Sequence, residues 1–263
     1  MKTTKVRFTV AYDGTGYCGW QKQKQEGQIS VASLIEKALE RVFNEKITLF
    51  ASGRTDAGVH AFNQVCHFST HRKLDPAKKW DICWALNSHL PSSIVVKKAW
   101  IAPEEFHATI SATHKTYRYF ILNRPRPSAH LARHMDWVRK PLDIDILQVS
   151  TQYLVGNYDF KSFQSVGTPI TDTVREVFQA DWKWRKPDVL QFTITGDGFL
   201  KQMVRNIVGT ALMIERRQEN PVRMKEILDS MDRRQAGPPA PAAGLYLLRV
   251  YYPQDLDKQC IEL

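Results

Sequence analysis

Val6, Phe8 and Val10 alternate with polar neighbours and lead into Asp13-Gly14-Thr15-Gly16, a period-two strand running into a glycine turn. From Ser30 the rhythm changes. Val31, Leu34, Ile35, Ala38, Leu39, Val42 and Phe43 recur in steps of three and one, which predicts an amphipathic helix capped by Ser30. Ile47–Ala51 and Gln64–Phe68 read as strands, with Ser52–His60 as the loop between them. Asp75-Pro76 pairs a cap with a first-turn proline and predicts a helix running towards Leu90. Ile94–Ile101 is rich in β-formers. The first hundred residues therefore predict an α+β unit on an antiparallel sheet.

The second half repeats the ingredients without repeating the sequence. His114–Leu122 alternates, with Tyr117, Tyr119 and Ile121 on one side, until Asn123-Arg124-Pro125-Arg126-Pro127 breaks it. The basic stretch from there to Lys140 is expected to be a surface excursion. Helix-like text covers Asp143–Val155, and two strands are expected at Val174–Trp184 and Val189–Thr195. Phe199–Ile214 is the strongest helix of this half, and Asn220-Pro221 opens another. A Pro/Ala/Gly loop at Gly237–Gly244 precedes a closing strand, Leu245–Tyr252. The simplest division is an N-terminal α+β domain over 1–105 and a C-terminal one over 106–263.

Composition narrows the partners. In 263 residues, 37 basic against 27 acidic side chains give a net charge of +10, which favours polyanions. No stretch approaches membrane-span length. Met1-Lys2-Thr3-Thr4-Lys5 enters the first strand without the apolar core of a secretory signal, so no membrane association and a cytoplasmic location are expected. Cys18, Cys66, Cys83 and Cys260 are too scattered for a disulfide framework or a zinc knuckle. His67/His71 and His130/His134 are spaced as on a helix but lack the glutamate of an HExxH site, and they are expected to face solvent. No metal is expected.

Three places carry candidate chemistry. In Ser52-Gly53-Arg54-Thr55-Asp56-Ala57-Gly58-Val59-His60-Ala61, glycines bracket an arginine and an aspartate between two strands. Such a loop either presents a carboxylate beside a guanidinium to a bound anion or is an Asx-type turn with a surface ion pair. Tyr117 is either a half-buried strand tyrosine or a ring for stacking and proton transfer. Arg205 sits on a helix that is apolar around most of its circumference. It either meets a carboxylate or packs its stem and extends its head to water.

Read together, these residues resemble the TruA family of tRNA pseudouridine synthases. Gly53-Arg54-Thr55-Asp56-Ala57-Gly58-Val59-His60-Ala61 is similar to the family's central motif, and five other blocks follow its order. They are Tyr12–Tyr17 with Gly19-Trp20-Gln21, Phe106-His107-Ala108 with Lys115-Thr116-Tyr117-Arg118-Tyr119, and Gly156–Phe160 with Phe163. Phe199-Leu200 with Met203–Gly209, and Ala236–Pro238 with Ala240–Ala242 and Gly244–Leu247, complete the set. Two departures stand out. Thr109 replaces an arginine common after Phe-His-Ala, and Glu215-Arg216-Arg217-Gln218 replaces a glycine-rich turn.

The resemblance implies two ferredoxin-like (RRM-like) halves around a central antiparallel sheet, and a homodimer that binds tRNA. It implies conversion of uridine to pseudouridine in the anticodon stem-loop, about positions 38–40, with no cofactor. Asp56 would be the nucleophile, adding to the base or acting at C1′. Tyr117 would stack on the extruded uracil and move a proton, with Tyr119 as support or substitute. Arg205 would hold Asp56 ionised, and Arg54 would serve the flipped nucleotide. Gly53, Thr55 and His60 would complete the substrate-binding loop. The basic clusters Arg124/Arg126, Arg133/Arg139/Lys140, Lys183/Arg185/Lys186 and Arg216/Arg217, interleaved with tryptophans, suit an RNA-facing surface. The alternatives are a catalytically inactive tRNA-binding protein or RNA chaperone, the same enzyme acting on another uridine or RNA, and a metal-dependent nuclease using Asp13, Asp56 and nearby histidines.

Overall fold

The structure is a computed structural model describing residues 3–21, 27–78, 80–165, 167 and 171–263. Met1 and Lys2, in the N-terminal stretch read above, and Lys79, in the second expected helix, lie outside the described residues. The first elements are β1 (Thr4–Tyr12), α1 (Val31–Phe43), β2 (Phe50–Ala51), β3 (His60–Thr70), α2 (Ile82–Asn87) and β4 (Ile94–Ala102). Then come β5 (His114–Asn123), β6 (Asp136–Val138), α3 (Ile144–Gln152), β7 (Gly156–Asp159), β8 (Val174–Lys186) and β9 (Val189–Gly196). The chain ends with α4 (Met203–Arg216), α5 (Arg223–Asp229), β10 (Leu245–Tyr251), α6 (Gln254–Lys258) and β11 (Ile261–Glu262). These form two compact units, Met1–Thr113 with Leu247–Leu263, and His114–Tyr246.

In the first unit β1 lies between β3 and β4, antiparallel to both, and β11 pairs antiparallel with β4. The expected alternation in β1 is realised, with Val6, Phe8, Val10 and Tyr12 all buried. Phe8 stands opposite Cys66 and Val6 opposite Phe68, and the register shifts between Val10 and Tyr12. α1 presents Val31, Ile35, Ala38, Leu39 and Phe43 to the core, as its spacing predicts. Each of these burials except that of Ala38 stabilises the fold by about 1.5–3 kcal/mol. Ser30 Oγ accepts the Ser33 N–H, and Phe43 meets Phe68 edge-on at 5.1 Å.

The helix expected over Asp75–Leu90 is instead a single 3₁₀ turn, Pro76–Lys78, followed by the short α2. Asp81 takes an extended backbone and accepts the Trp84 N–H at 2.8 Å, so a second cap restarts the helix there. The expected strand Ile47–Ala51 contracts to β2, whereas Gln64–Phe68 lengthens to β3.

In the second unit β9 lies between β5 and β8, β7 continues beyond β8, and all three pairings are antiparallel. Tyr117, Tyr119 and Ile121 share the buried face of β5, as expected. The basic excursion is largely exposed, but it carries β6, which pairs in parallel with β5. α3 is capped by Asp143, whose Oδ1 accepts from Asp145 and Ile146 N–H. α4 begins at Met203 rather than Phe199 because Gln202 takes a left-handed backbone, φ 59°, and ends the approach. Both units are α+β and mostly antiparallel, the fold class expected from the sequence. Among the described residues, no helix is long and apolar enough to cross a membrane.

Candidate active site

The Ser52–His60 loop is fixed from both of its ends. Ser52 N–H donates to Val65 O at 2.8 Å, and the buried Gln64 side chain accepts from Ser52 Oγ and donates to Gly53 O at 2.7 Å. At the centre, Thr55 is 8% exposed. Its hydroxyl meets Tyr12 OH at 2.8 Å, and its carbonyl accepts the Trp20 N–H at 3.0 Å. Val59 N–H closes the turn onto Asp56 O at 3.1 Å. Asp56 is thereby held half-buried between a buried residue and an exposed one, with Arg54 exposed two positions before it.

The Asp13–Gly16 turn packs directly on this loop. Gly14 N–H donates to His60 Nδ1 at 3.1 Å, and His60 is 1% exposed. A Cβ on Gly14 would lie 2.1 Å from Val59 O, so only glycine permits the approach. Asp13 Oδ1 accepts from Thr15 N–H at 2.9 Å and lies 3.1 Å from His60 Nδ1. Two blocks separated by a helix in the sequence therefore form one backbone cradle around the loop that bears Asp56. His60, which the resemblance places in the substrate-binding loop, is a buried part of that cradle.

Behind the loop, β3 continues through His67. Its Nδ1 accepts the Ala108 N–H at 3.1 Å, and its ring stacks on Phe50 at 4.9 Å and meets His107 edge-on at 4.7 Å. Burial first, then the charges of His107 and Lys5, push its pKa down to about 4. His67 is thus a buried acceptor in the core, which corrects the expectation of a solvent-facing histidine. Among the described residues, no group of three or more His, Cys, Asp or Glu is arranged to hold a metal ion. The four cysteines are free thiols, and burial pushes the Cys66 thiol upward.

The second unit carries Tyr117 and Arg205. Tyr117 is 8% exposed and meets Phe199 edge-on at 5.1 Å. Tyr119 is fully buried, and its hydroxyl donates to Pro241 O at 2.9 Å. Burial, then the neighbouring Asp136, raises its pKa well above the ordinary phenol range. The Tyr119 hydroxyl is thus committed to the backbone ahead of the closing strand. Arg205 Nε donates to Ala240 O at 2.7 Å, and Ala240 N–H returns a bond to Arg205 O at 2.9 Å. The Nε bond orients the guanidinium, and the backbone bond ties α4 to the loop before β10.

Residues that pattern reading did not single out do the supporting work. Asn206, fully buried, donates to Phe163 O at 2.7 Å and accepts from Arg233 Nη2 at 3.0 Å. Thr210 Oγ1 accepts the Gly237 N–H at 2.9 Å. A polar residue recurring on a helix otherwise read as apolar was the available signal. Thr109, the departure after Phe-His-Ala, donates from Oγ1 to Ala51 O at 2.6 Å and so braces the strand that enters the Asp56 loop.

Known proteins place the chain in a family. A family model described as tRNA pseudouridine synthase matches residues 9–109 and 151–253. The matched stretches include the Asp56 loop and Arg205, while Tyr117 lies between them. A protein of Bdellovibrio bacteriovorus named tRNA pseudouridine synthase A is 76% identical over 261 residues, covering 99% of this chain and 100% of the relative. Proteins of the same name from Brevibacillus brevis and Ruminiclostridium cellulolyticum are 43% and 39% identical, each over 94% of this chain and 99% of their own length.

Proposed function

Because this chain belongs to the tRNA pseudouridine synthase family, we propose that it isomerises uridine to pseudouridine in tRNA, with Asp56 as the acting carboxylate. The reaction breaks the bond from ribose C1′ to uracil N1, turns the base, and forms a bond from C1′ to C5. The C5 proton is released to solvent and N1 regains one, so no electron donor or acceptor is needed. Asp56 either adds to the base or acts at C1′. The observation that carries this reading is the double-sided bracing of its loop, which supplies the preorganisation that a nucleophile requires.

The other roles follow from chemistry and family. The target uridine is extruded from the RNA, at a cost of a few kcal/mol. Arg54, exposed beside Asp56, stacks on or donates to the flipped nucleotide, a role in which a lysine would be a poor replacement. Gly53, Thr55 and His60 set the shape of the substrate-binding loop. Tyr117 stacks on uracil and moves a proton at C2′ or C5. By family resemblance, Arg205, whose Nε donates to Ala240 O, is the expected partner of the acting carboxylate. The target lies in the anticodon stem-loop, about positions 38–40, and the working form is a cytoplasmic homodimer needing no cofactor.

Incubation of the purified protein with an unmodified tRNA transcript, followed by nucleoside chromatography and position mapping, tests the proposal. Pseudouridine confined to the anticodon arm is expected. Tight tRNA binding with unaltered uridine would replace it with a binding-protein reading.

A further inference from the structure

Two basic segments distant in sequence meet in the second unit around a cavity of about 410 Å³. Arg139 and Lys140 reach it from the end of β6, and Arg216 from the last turn of α4. All three are exposed. Leu142, Glu215 and Gln218 complete much of the lining, and the lining includes no aromatic side chain.

The backbone on both sides is fixed. Asn123 Nδ2 donates to Val138 O at 2.9 Å and Lys140 O at 2.6 Å, which holds the segment bearing Arg139 and Lys140. Glu215 is 5% exposed, and its Oε1 accepts the Asp143 N–H at 3.1 Å, which ties the end of α4 to the start of α3. Gln218 adopts φ 53° and donates from Nε2 to Glu215 O at 2.8 Å. The cavity's only carboxylate is therefore engaged with a backbone amide, and the cations stand on a rigid frame.

We propose that this cavity is a phosphate-binding site that grips the tRNA backbone through Arg139, Lys140 and Arg216. The inference rests on tRNA being the substrate, and it adds a place where that RNA is held. Three cations against one engaged carboxylate make a positive cavity, and guanidinium forks match phosphate oxygens in pairs. Its volume exceeds the needs of a lone phosphate and falls in the range of about 300–1,000 Å³ typical of ligand sites. With no ring to stack a base, it suits a backbone rather than a free nucleotide. The site also gives the Glu215–Gln218 segment a use where the family commonly has a glycine-rich turn.

The test is filter binding of tRNA to the wild type, Arg139→Ala, Lys140→Ala, Arg216→Ala and the triple variant across a salt series. Inorganic phosphate and a nucleoside monophosphate are titrated in parallel. Each single substitution is expected to weaken tRNA binding and to flatten the slope of log affinity against log salt by about one. The triple variant should flatten it more, and KM for tRNA should rise with it. Because the three side chains are exposed, thermal unfolding should stay unchanged. Wild-type affinity and slope in the triple variant would overturn the proposal. So would loss of phosphate or nucleotide binding in the variants with tRNA binding intact, which would give the cavity to a small anion. Slope loss supports the cavity whether or not pseudouridine forms, so the isomerase reading stands or falls separately.

Discussion

Thr55 shows how much of the site rests on single contacts. Its hydroxyl bonds Tyr12 OH in the core, so Thr55→Val removes that bond at a cost of about 0.5–1.5 kcal/mol. Chemical denaturation should show that loss, and turnover should fall further because the neighbouring Asp56 loses its brace. Unchanged turnover would separate the brace from catalysis. His67 makes a second prediction. Its folded pKa, about 4, lies below the ordinary 6.5, so between those values the unfolded chain binds the extra proton. Stability should be complete above about pH 6.5 and should decline as the pH falls towards 4. His67→Gln, which keeps an acceptor for Ala108 N–H, should flatten that decline in melting experiments at pH 7 and pH 5. Residue type and spacing leave Asp56 and Tyr117 open between structural and chemical readings, and the family resemblance supplies their roles and that of Arg54. Sequence reading misplaced His67 in solvent because a strand interior is recognised only once its partners, here Phe50 and His107, are known.

Elements were legible where one periodicity ran unopposed. β1, α1 and β5 follow their patterns because the apolar stripe alone determines which face turns inward. Asp75–Leu90 misled because Asp75-Pro76 and Asp81 are both credible caps, and only tertiary packing selects between one helix and two. α4 shows the opposite case, a helix whose apolar face was plain but whose partner was not. A Cβ on its Gly209 would lie 1.8 Å from Pro238 O, so the helix and the loop before β10 touch backbone to backbone. Gly209→Ala should therefore destabilise the protein by about 1–3 kcal/mol despite alanine's better helix propensity. An unfolding midpoint at or above wild type would contradict that packing. The same loop supplies Ala240 to Arg205 and Pro241 to Tyr119, so activity should fall with stability.

At the scale of the whole molecule, the sequence conveyed the α+β class and the basic charge but not the path of the chain. A boundary at 105/106 assigns the closing strand to the second half, whereas Leu247–Leu263 belongs to the first unit. Tyr252 OH donates to Ala108 O at 2.7 Å, and the Arg7 guanidinium lies over the Tyr252 ring at 4.6 Å. Nothing in a strand's period names its neighbour, so such a return becomes visible only in three dimensions. The proposed homodimer predicts a mass near twice 30.3 kDa by light scattering, and a single-chain mass at micromolar concentration would reject it. The claim on which the rest depends is that Asp56 acts on uridine. Tritium release from tRNA labelled at uridine C5, compared between wild type and Asp56→Asn, tests it most directly. Release by the wild type and none by the variant, while both bind tRNA, is the expected result. Equal release by both would remove Asp56 from the chemistry, and no release by either with tRNA bound would remove the chemistry from this protein.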